Sequence, residues 1–227
     1  YWIFYKNHTW GPQVYSSSTD GINWETPTEF RTTGGHGGQF YVHYENRDGH
    51  DYVHYQFSTE AKGDPLLYRK GECHSNGTVT WLAHEQTVIE GVEGIQHAPN
   101  GIATTPSGHV FMGFVNTTGM PYTDMETYIT FTQCTNGSWI TYDGYPKHFE
   151  NSTGRIESYV FGLETDNDCY QIINGMAPYQ HVKPVARKIE NHTYQALEYP
   201  SDKFCEESRY WSGFSENGDV HFSFRGN

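Results

Sequence analysis

The sequence predicts an all-β protein, a β-propeller of about five blades with four antiparallel strands each. Three observations carry this. A turn motif recurs in register, reading S-T-D-G-I-N-W at 18–24, S-N-G-T-V-T-W at 75–81 and C-T-N-G-S-W-I-T at 134–141, with a fainter E-N-H-T-Y-Q-A at 190–196. Its Asp or Asn falls at Asp20, Asn76, Asn136 and Asn191, roughly every 55–60 residues, and strand-rich units repeating at such a period read as propeller blades. Tyr, Phe and Trp supply 16% of the 227 residues, Gly is abundant with 24 copies, and no stretch shows the periodicity of an amphipathic helix.

The chain opens with three expected strands, 1–5, 13–17 and 22–27, separated by the first turn motif. The second block pairs F-Y-V-H-Y-E at 40–45 with D-Y-V-H-Y-Q-F at 51–57 across the turn 46–49, then adds 66–70 and 78–83. In the third block, 100–105 and 109–115 flank a P-S-G turn, with 128–133 next and a fourth strand beginning at 138–142. The fourth block runs 158–163, 169–173, 182–188 and 192–197, and the chain closes with 210–214, an S-E-N-G turn and 219–224. The blades are therefore 1–34 (partial), 35–92, 96–150, 152–204 and 205–227 (partial), within one domain, since nothing in the composition resembles a linker.

The turn has a physical logic. In Asp20-Gly21, Asn76-Gly77 and Asn136-Gly137 the pair tolerates the positive φ that a tight hairpin demands, and Ser18 precedes the first of them. The aromatic beyond the turn (Trp24, Trp81, and Trp139 or Ile140) is expected to pack back beneath it.

Both end segments, 1–6 and 219–225, read as second strands, so they do not complete one another neatly. Either they pair irregularly to close a five-bladed ring, or sequence beyond this window, or a neighbouring molecule, supplies the missing strands. The chain starts inside a strand and accordingly reads as a mature product or as part of a longer protein.

Charge and composition exclude some classes. A net charge of −13 argues against a nucleic-acid partner bound through a basic surface. No apolar run approaches the ~20 residues of a membrane-spanning helix. Six N-x-S/T sequons, at Asn7, Asn76, Asn116, Asn136, Asn151 and Asn191, exceed what this composition scatters by chance and imply N-linked glycans and an extracellular or cell-surface setting. Asn76, Asn136 and Asn191 fall in the turn between third and fourth strands, Asn7 and Asn116 follow second strands, and Asn151 lies between blades, so both propeller faces are expected to carry sugars. Cys73, Cys134, Cys169 and Cys205 form an even set, expected as two disulfides with three connectivities open. Cys205 approaches the opposite face from the other three, which leaves a partner outside this window open.

The segment at 18–24 resembles the Asp-box (BNR-repeat) turn of the sialidase-like β-propellers, and L-Y-R-K-G-E-C-H-S-N-G-T-V-T-W at 67–81 looks like the matching hairpin. As blade rhythm the resemblance covers nearly the whole chain. Its specific motif is met only at Asp20, because Asn76 and Asn136 are sequon asparagines. The resemblance implies the fold and does little for the activity. A sialidase needs an arginine cluster around the substrate carboxylate, and none of the seven arginines has the expected R-I-P setting; Arg155, in R-I-E, comes nearest.

Other site candidates are weaker. His43 and His54 sit in a duplicated Y-V-H-Y with Tyr41 and Tyr52; they read as hydrogen-bonded His–Tyr packing rather than a metal pair lacking a third ligand. His36 and His97 lie in blade connections, the glycine run at 34–38 lacks the helix of a phosphate loop, and Trp2, Trp10 and Trp211 are candidates for stacking on sugars. No metal or cofactor is expected.

Two functions remain. One is a secreted or cell-surface glycosylated propeller with a structural, adhesive or carbohydrate-binding role, self-associating or joined to neighbouring subunits in an extracellular assembly. The other is a sialidase-like or other propeller glycoside hydrolase using carboxylates such as Asp51, Glu93 and Glu157, whose separation would set its mechanism. The sequence leans away from catalysis.

Overall fold

Period-2 patterns such as Leu66, Tyr68 and Lys70, buried in turn while Leu67 and Arg69 are half-buried, organise the chain into antiparallel sheets. The computed structural model describes residues 1–8, 11–31, 39–59, 61–118, 125–149, 156–163, 168–177, 180–181, 185–198, 212–216 and 219–223. Among these residues there is no helix.

The first sheet holds β1 (Trp2–Lys6), β2 (Gln13–Ser17) and β3 (Thr28–Glu29) in that order. The strand expected at 22–27 is instead the tail of the turn: Asp20 Oδ1 accepts the N–H groups of Ile22 and Asn23, both at 2.8 Å, which removes them from any ladder. The second sheet runs β4 (Gln39–Arg47), β5 (His50–Ser58), β6 (Leu66–Cys73) and β7 (Val79–Trp81), with β8 (Gln86–Ile89) also along β6. Its single expected fourth strand is thus split, and Arg69 spans the break by donating from Nε to the Ala83 carbonyl at 2.6 Å.

The third sheet contains β9 (Gln96–Thr104), β10 (Val110–Thr117), β11 (Glu126–Thr132) and β12 (Lys147–His148). Residues 138–142 do not form the expected strand. Thr132 Oγ1 takes the Cys134 and Ile140 N–H groups, and Trp139 turns into the core, so the edge position passes to β12. The fourth sheet is β13 (Ile156–Gly162), β14 (Cys169–Ala177), β16 (Val185–Glu190) and β17 (Thr193–Glu198), with β15 (Gln180–His181) beside β14. A final pair joins β18 (Ser212–Glu216) to β19 (Asp219–Ser223).

The core lies between consecutive sheets rather than within one. Tyr15 and Phe30 of the first sheet and its exit pack on Tyr55 and Phe57 of the second. Leu66 and Tyr68 meet Ile102, Met112 and Phe114 of the third. Phe111, Ile129 and Phe131 meet Val160, Cys169 and Ile189 of the fourth. The first strands of successive sheets, β4, β9 and β13, lie side by side.

Two bridges among four cysteines would need at least one among Cys73, Cys134 and Cys169, yet these three are free thiols, and Cys205 lies outside the described residues. The two-disulfide expectation is corrected accordingly. Cys73 and Cys169 are buried in different sheets, Cys169 inside the core between the third and fourth.

Candidate functional site

Close cross-contacts show that the first strands run in one direction. His43 of β4 bonds Thr104 of β9 at 3.0 Å, and further along both chains Arg47 donates to the Ser107 carbonyl at 3.2 Å. A Cβ on Gly101 would stand 3.2 Å from the Val160 nitrogen, and one on Gly162 only 2.0 Å from the Thr104 carbonyl oxygen. Only glycine at 162 lets β13 come this near to β9. The C-terminal ends of the three strands therefore converge at one end of the molecule. There they border a shallow, open cavity of about 290 Å³, lined by Tyr44, Glu45 and Asn46 from β4, Thr104 and Thr105 from β9 and its turn, and Gly162 from β13.

Behind the cavity lies a buried charge network. Glu45 Oε2 accepts from His54 Nε2 and from Lys70 Nζ, each at 3.1 Å. A carboxylate only accepts, so the His54 proton sits on Nε2 and Nδ1 accepts from the Tyr68 hydroxyl at 2.9 Å. Lys70, fully buried, also donates to the Thr135 carbonyl and lies 3.9 Å from the Tyr52 ring centre. Burial would raise the Glu45 pKa, but the His54 hydrogen bond and the charges of His54 and Lys70 outweigh it and bring it to about 2. Burial holds His43 down at about 4, helped by the His54 charge, and holds His54 below its ordinary value against the pull of Glu45. Two polar atoms of this region are buried without a hydrogen bond: Glu45 Oε1, whose nearest cation is Arg47 at 3.6 Å, and Thr105 Oγ1.

On the outer rim, Tyr44 is 59% exposed and its hydroxyl donates to Asp51 Oδ1 at 2.6 Å. Asn46 Nδ2 donates to the same oxygen at 2.7 Å. The hairpin that presents them turns in two residues, Asp48 (φ 55) and Gly49 (φ 80), both in the left-handed region such a turn requires. The sequence placed this turn correctly.

The expected site residues separate. Asp51 stands at the cavity end, whereas Glu93 is exposed ahead of β9 and Glu157 lies near the start of β13, at the opposite end of these strands. They do not form a carboxylate pair. His97, also at that opposite end, is buried between the Asn116 amide at 2.7 Å and the Glu90 carbonyl at 3.1 Å. His43 and His54 face each other across β4 and β5, but the His–Tyr bond runs to Tyr68, not Tyr52. Trp2 is partly buried against Tyr15. Among the described residues no three His, Cys, Asp or Glu side chains gather as metal ligands. His36, Trp10, Asn151, Arg155, Cys205 and Trp211 lie outside the described residues.

At the first turn motif Ser18 Oγ accepts the Asp20 and Gly21 N–H groups, and the Asp20 carboxylate, besides its two N–H bonds, takes the Asn23 amide at 2.7 Å. These bonds, the backbone N–H groups first, hold the Asp20 pKa well below the usual carboxylate range. Trp24 is 39% exposed and does not pack beneath its turn, whereas Trp81 and Trp139 do enter core clusters. Asn76, Asn136 and Asn191 are exposed between the third and fourth strands of their sheets. Asn116 does not follow its strand but lies within β10.

Glu45, Lys70 and Thr105 were not singled out from sequence. The signal was present for Lys70, which follows Leu66 and Tyr68 on the inward-facing positions of β6.

No family model matches this chain, and no curated protein does. Among solved structures it is similar to one described as a new family of polysaccharide lyase, PL25 ulvan lyase, bound to -[GlcA(1-4)Rha3S]-. The TM-score is 0.53 at 10% identity, over 94% of this chain and 55% of that one, so this chain spans about half the length of the structure it matches.

Proposed function

We propose that this chain is part of a β-propeller that binds carbohydrate through the cavity at the ends of β4, β9 and β13. The observation that carries the reading is the likeness, over 94% of this chain, to a polysaccharide lyase described as bound to an oligosaccharide. The four-membered meanders, the side-by-side first strands and the cores between sheets support a radial arrangement. A cavity bordered by polar residues, the exposed Tyr44 among them, supports a sugar ligand. The exposed sequons at Asn76, Asn136 and Asn191 support an extracellular, glycosylated protein. The role is binding rather than glycoside cleavage by Asp51, Glu93 and Glu157, since these stand at two different ends.

Enzymatically deglycosylated protein should be titrated against a panel of neutral, uronate-bearing and sulfated polysaccharides. Saturable binding to at least one is the expected result. Binding to none would overturn the reading.

A further inference from the structure

We propose that the seam between β4 and β9, the first strands of the second and third sheets, is an acid-sensitive latch: when His43 and His54 take up protons, the cavity end of the second sheet parts from the third while the other sheets stay packed. This inference is independent of the carbohydrate-binding reading above.

The ties across the seam are unevenly placed. At the cavity end His43 Nε2 meets Thr104 Oγ1 at 3.0 Å, and Arg47 donates to the Ser107 carbonyl at 3.2 Å. Further along, Gln56 Nε2 donates to the Gly113 carbonyl at 2.7 Å and its Oε1 accepts the Gly101 N–H at 3.3 Å. There Leu66 and Tyr68 also pack on Ile102 and Met112. Acid leaves that second half unchanged. The half that responds to protons is the one beside the shallow cavity, which Glu45 and Thr104 border.

Protonation overloads this half. The His43 and His54 rings stand 6.3 Å apart between centres. Around them β4 brings Glu45 and Arg47, β5 the Tyr52 ring, and β6 Tyr68, Lys70 and Glu72, while β9 meets His43 with the uncharged Thr104. Past β11 come the Thr135 carbonyl, which Lys70 bonds, and Cys134, near Tyr68. Glu45 already serves His54 and Lys70 through Oε2 and faces Arg47 at 3.6 Å through Oε1. Glu72 is taken by His50 at 2.7 Å. Among the described residues His43 bonds no carboxylate, so its charge would add to cations already in place. On His54 the new proton goes to Nδ1, the atom that accepts from the Tyr68 hydroxyl, and fully buried Tyr68 must turn its O–H elsewhere. Burial, followed by the His54 charge, holds His43 down at about 4, and burial lowers His54 as well. Both rings therefore resist protons while the seam is shut. Parting its cavity end admits water to His43 and Thr104 and removes the penalty.

The test is fragment-resolved hydrogen exchange of the intact chain at pH 7 and pH 5, with labelling times scaled to the intrinsic rate at each pH. Strands β14 and β16 serve as the internal reference. Protection of β4 and β9 should fall at least about tenfold at pH 5, and that of β14 and β16 by less than about twofold. Ring-nitrogen spectra give a reading that needs no variant: both histidines should still be neutral at pH 6. His43→Gln can bond Thr104 but cannot take the charge; once a melting curve confirms folding, it should lose most of the acceleration. The latch is overturned if β4 and β9 keep their protection at pH 5, or if every sheet loses it equally. Rings already charged at pH 6 in the folded chain, or a folded His43→Gln that responds as the parent does, overturn it too.

Discussion

Lys70 carries its ammonium group to a position with no solvent contact, and the fold tolerates this only because Glu45 meets it at 3.1 Å. Removing one member of a buried pair leaves the other charge uncompensated, at a cost of about 3–5 kcal/mol. Lys70→Met should lower stability by that order in a denaturant titration, and adding Glu45→Gln should restore part of it. The same network sets a pH dependence. His43 is held near 4, below its ordinary 6.5, and His54 is lowered as well. The unfolded chain therefore takes up protons that the folded one refuses, and stability is lost as pH falls from about 6.5 toward 4. The slope is at most about 1.4 kcal/mol per pH unit for each histidine. His43→Gln should flatten the melting temperature over that window, and an unchanged slope would show that His43 does not contribute. At this scale the sequence was legible where chemistry is local. The turn chemistry of Asp20 could be read from S-T-D-G, and its Oδ1 does cap Ile22 and Asn23. The Glu45–His54–Lys70 cluster was not readable, because its members come from three strands and meet only through the sheet register.

The first strands are the elements that bring the candidate site together, and Gly162 is where two of them come closest. A methyl group there would stand 2.0 Å from the Thr104 carbonyl, so Gly162→Ala must push β13 away from β9. Overpacking against backbone costs about 1–3 kcal/mol, and the same shift would open the cavity, so thermal stability and any sugar affinity should fall together. The hairpin tips lead to a different prediction. Asn76, Asn136 and Asn191 are exposed at equivalent places, whereas Asn116 sits within β10 with its amide held by His97 and with Thr117 buried beside it. Peptide mass mapping of protein secreted from a eukaryotic host should find glycans at the three tips and little at Asn116. Unmodified tips would remove the support for an extracellular setting. Strand positions were largely legible from alternation, and the β4–β5 hairpin agrees with its sequence signal almost residue for residue. Fourth strands were not. Val79–Trp81 and Gln86–Ile89 share one edge, and Lys147–His148 takes the place expected for 138–142. Outer strands bury less surface, so their residues follow the alternating pattern less strictly.

Across the whole molecule the repeat was the most legible feature, since turns spaced by one supersecondary unit imply units that cannot bury their faces alone. How the units meet was not in the pattern, because an inward residue looks the same whichever neighbour it faces. The structure answers this through its aromatic clusters. Phe131 of the third sheet stacks on Phe111 at 4.3 Å between ring centres and shares a cluster with Val160, Cys169 and Ile189 of the fourth. The contacts between the first and second sheets form a separate cluster around Phe30, Tyr55 and Phe57. Phe131→Ala should cost about 3–5 kcal/mol, as truncation of a fully buried aromatic does. Where that loss appears distinguishes the arrangements. If cores lie between sheets, hydrogen exchange should speed up in β14 and β16 as much as in β10 and β11, while β1 and β2 keep their protection. Loss confined to β9–β12 would mean that each sheet is stabilised within itself, and the radial arrangement proposed for this chain would lose its main physical support.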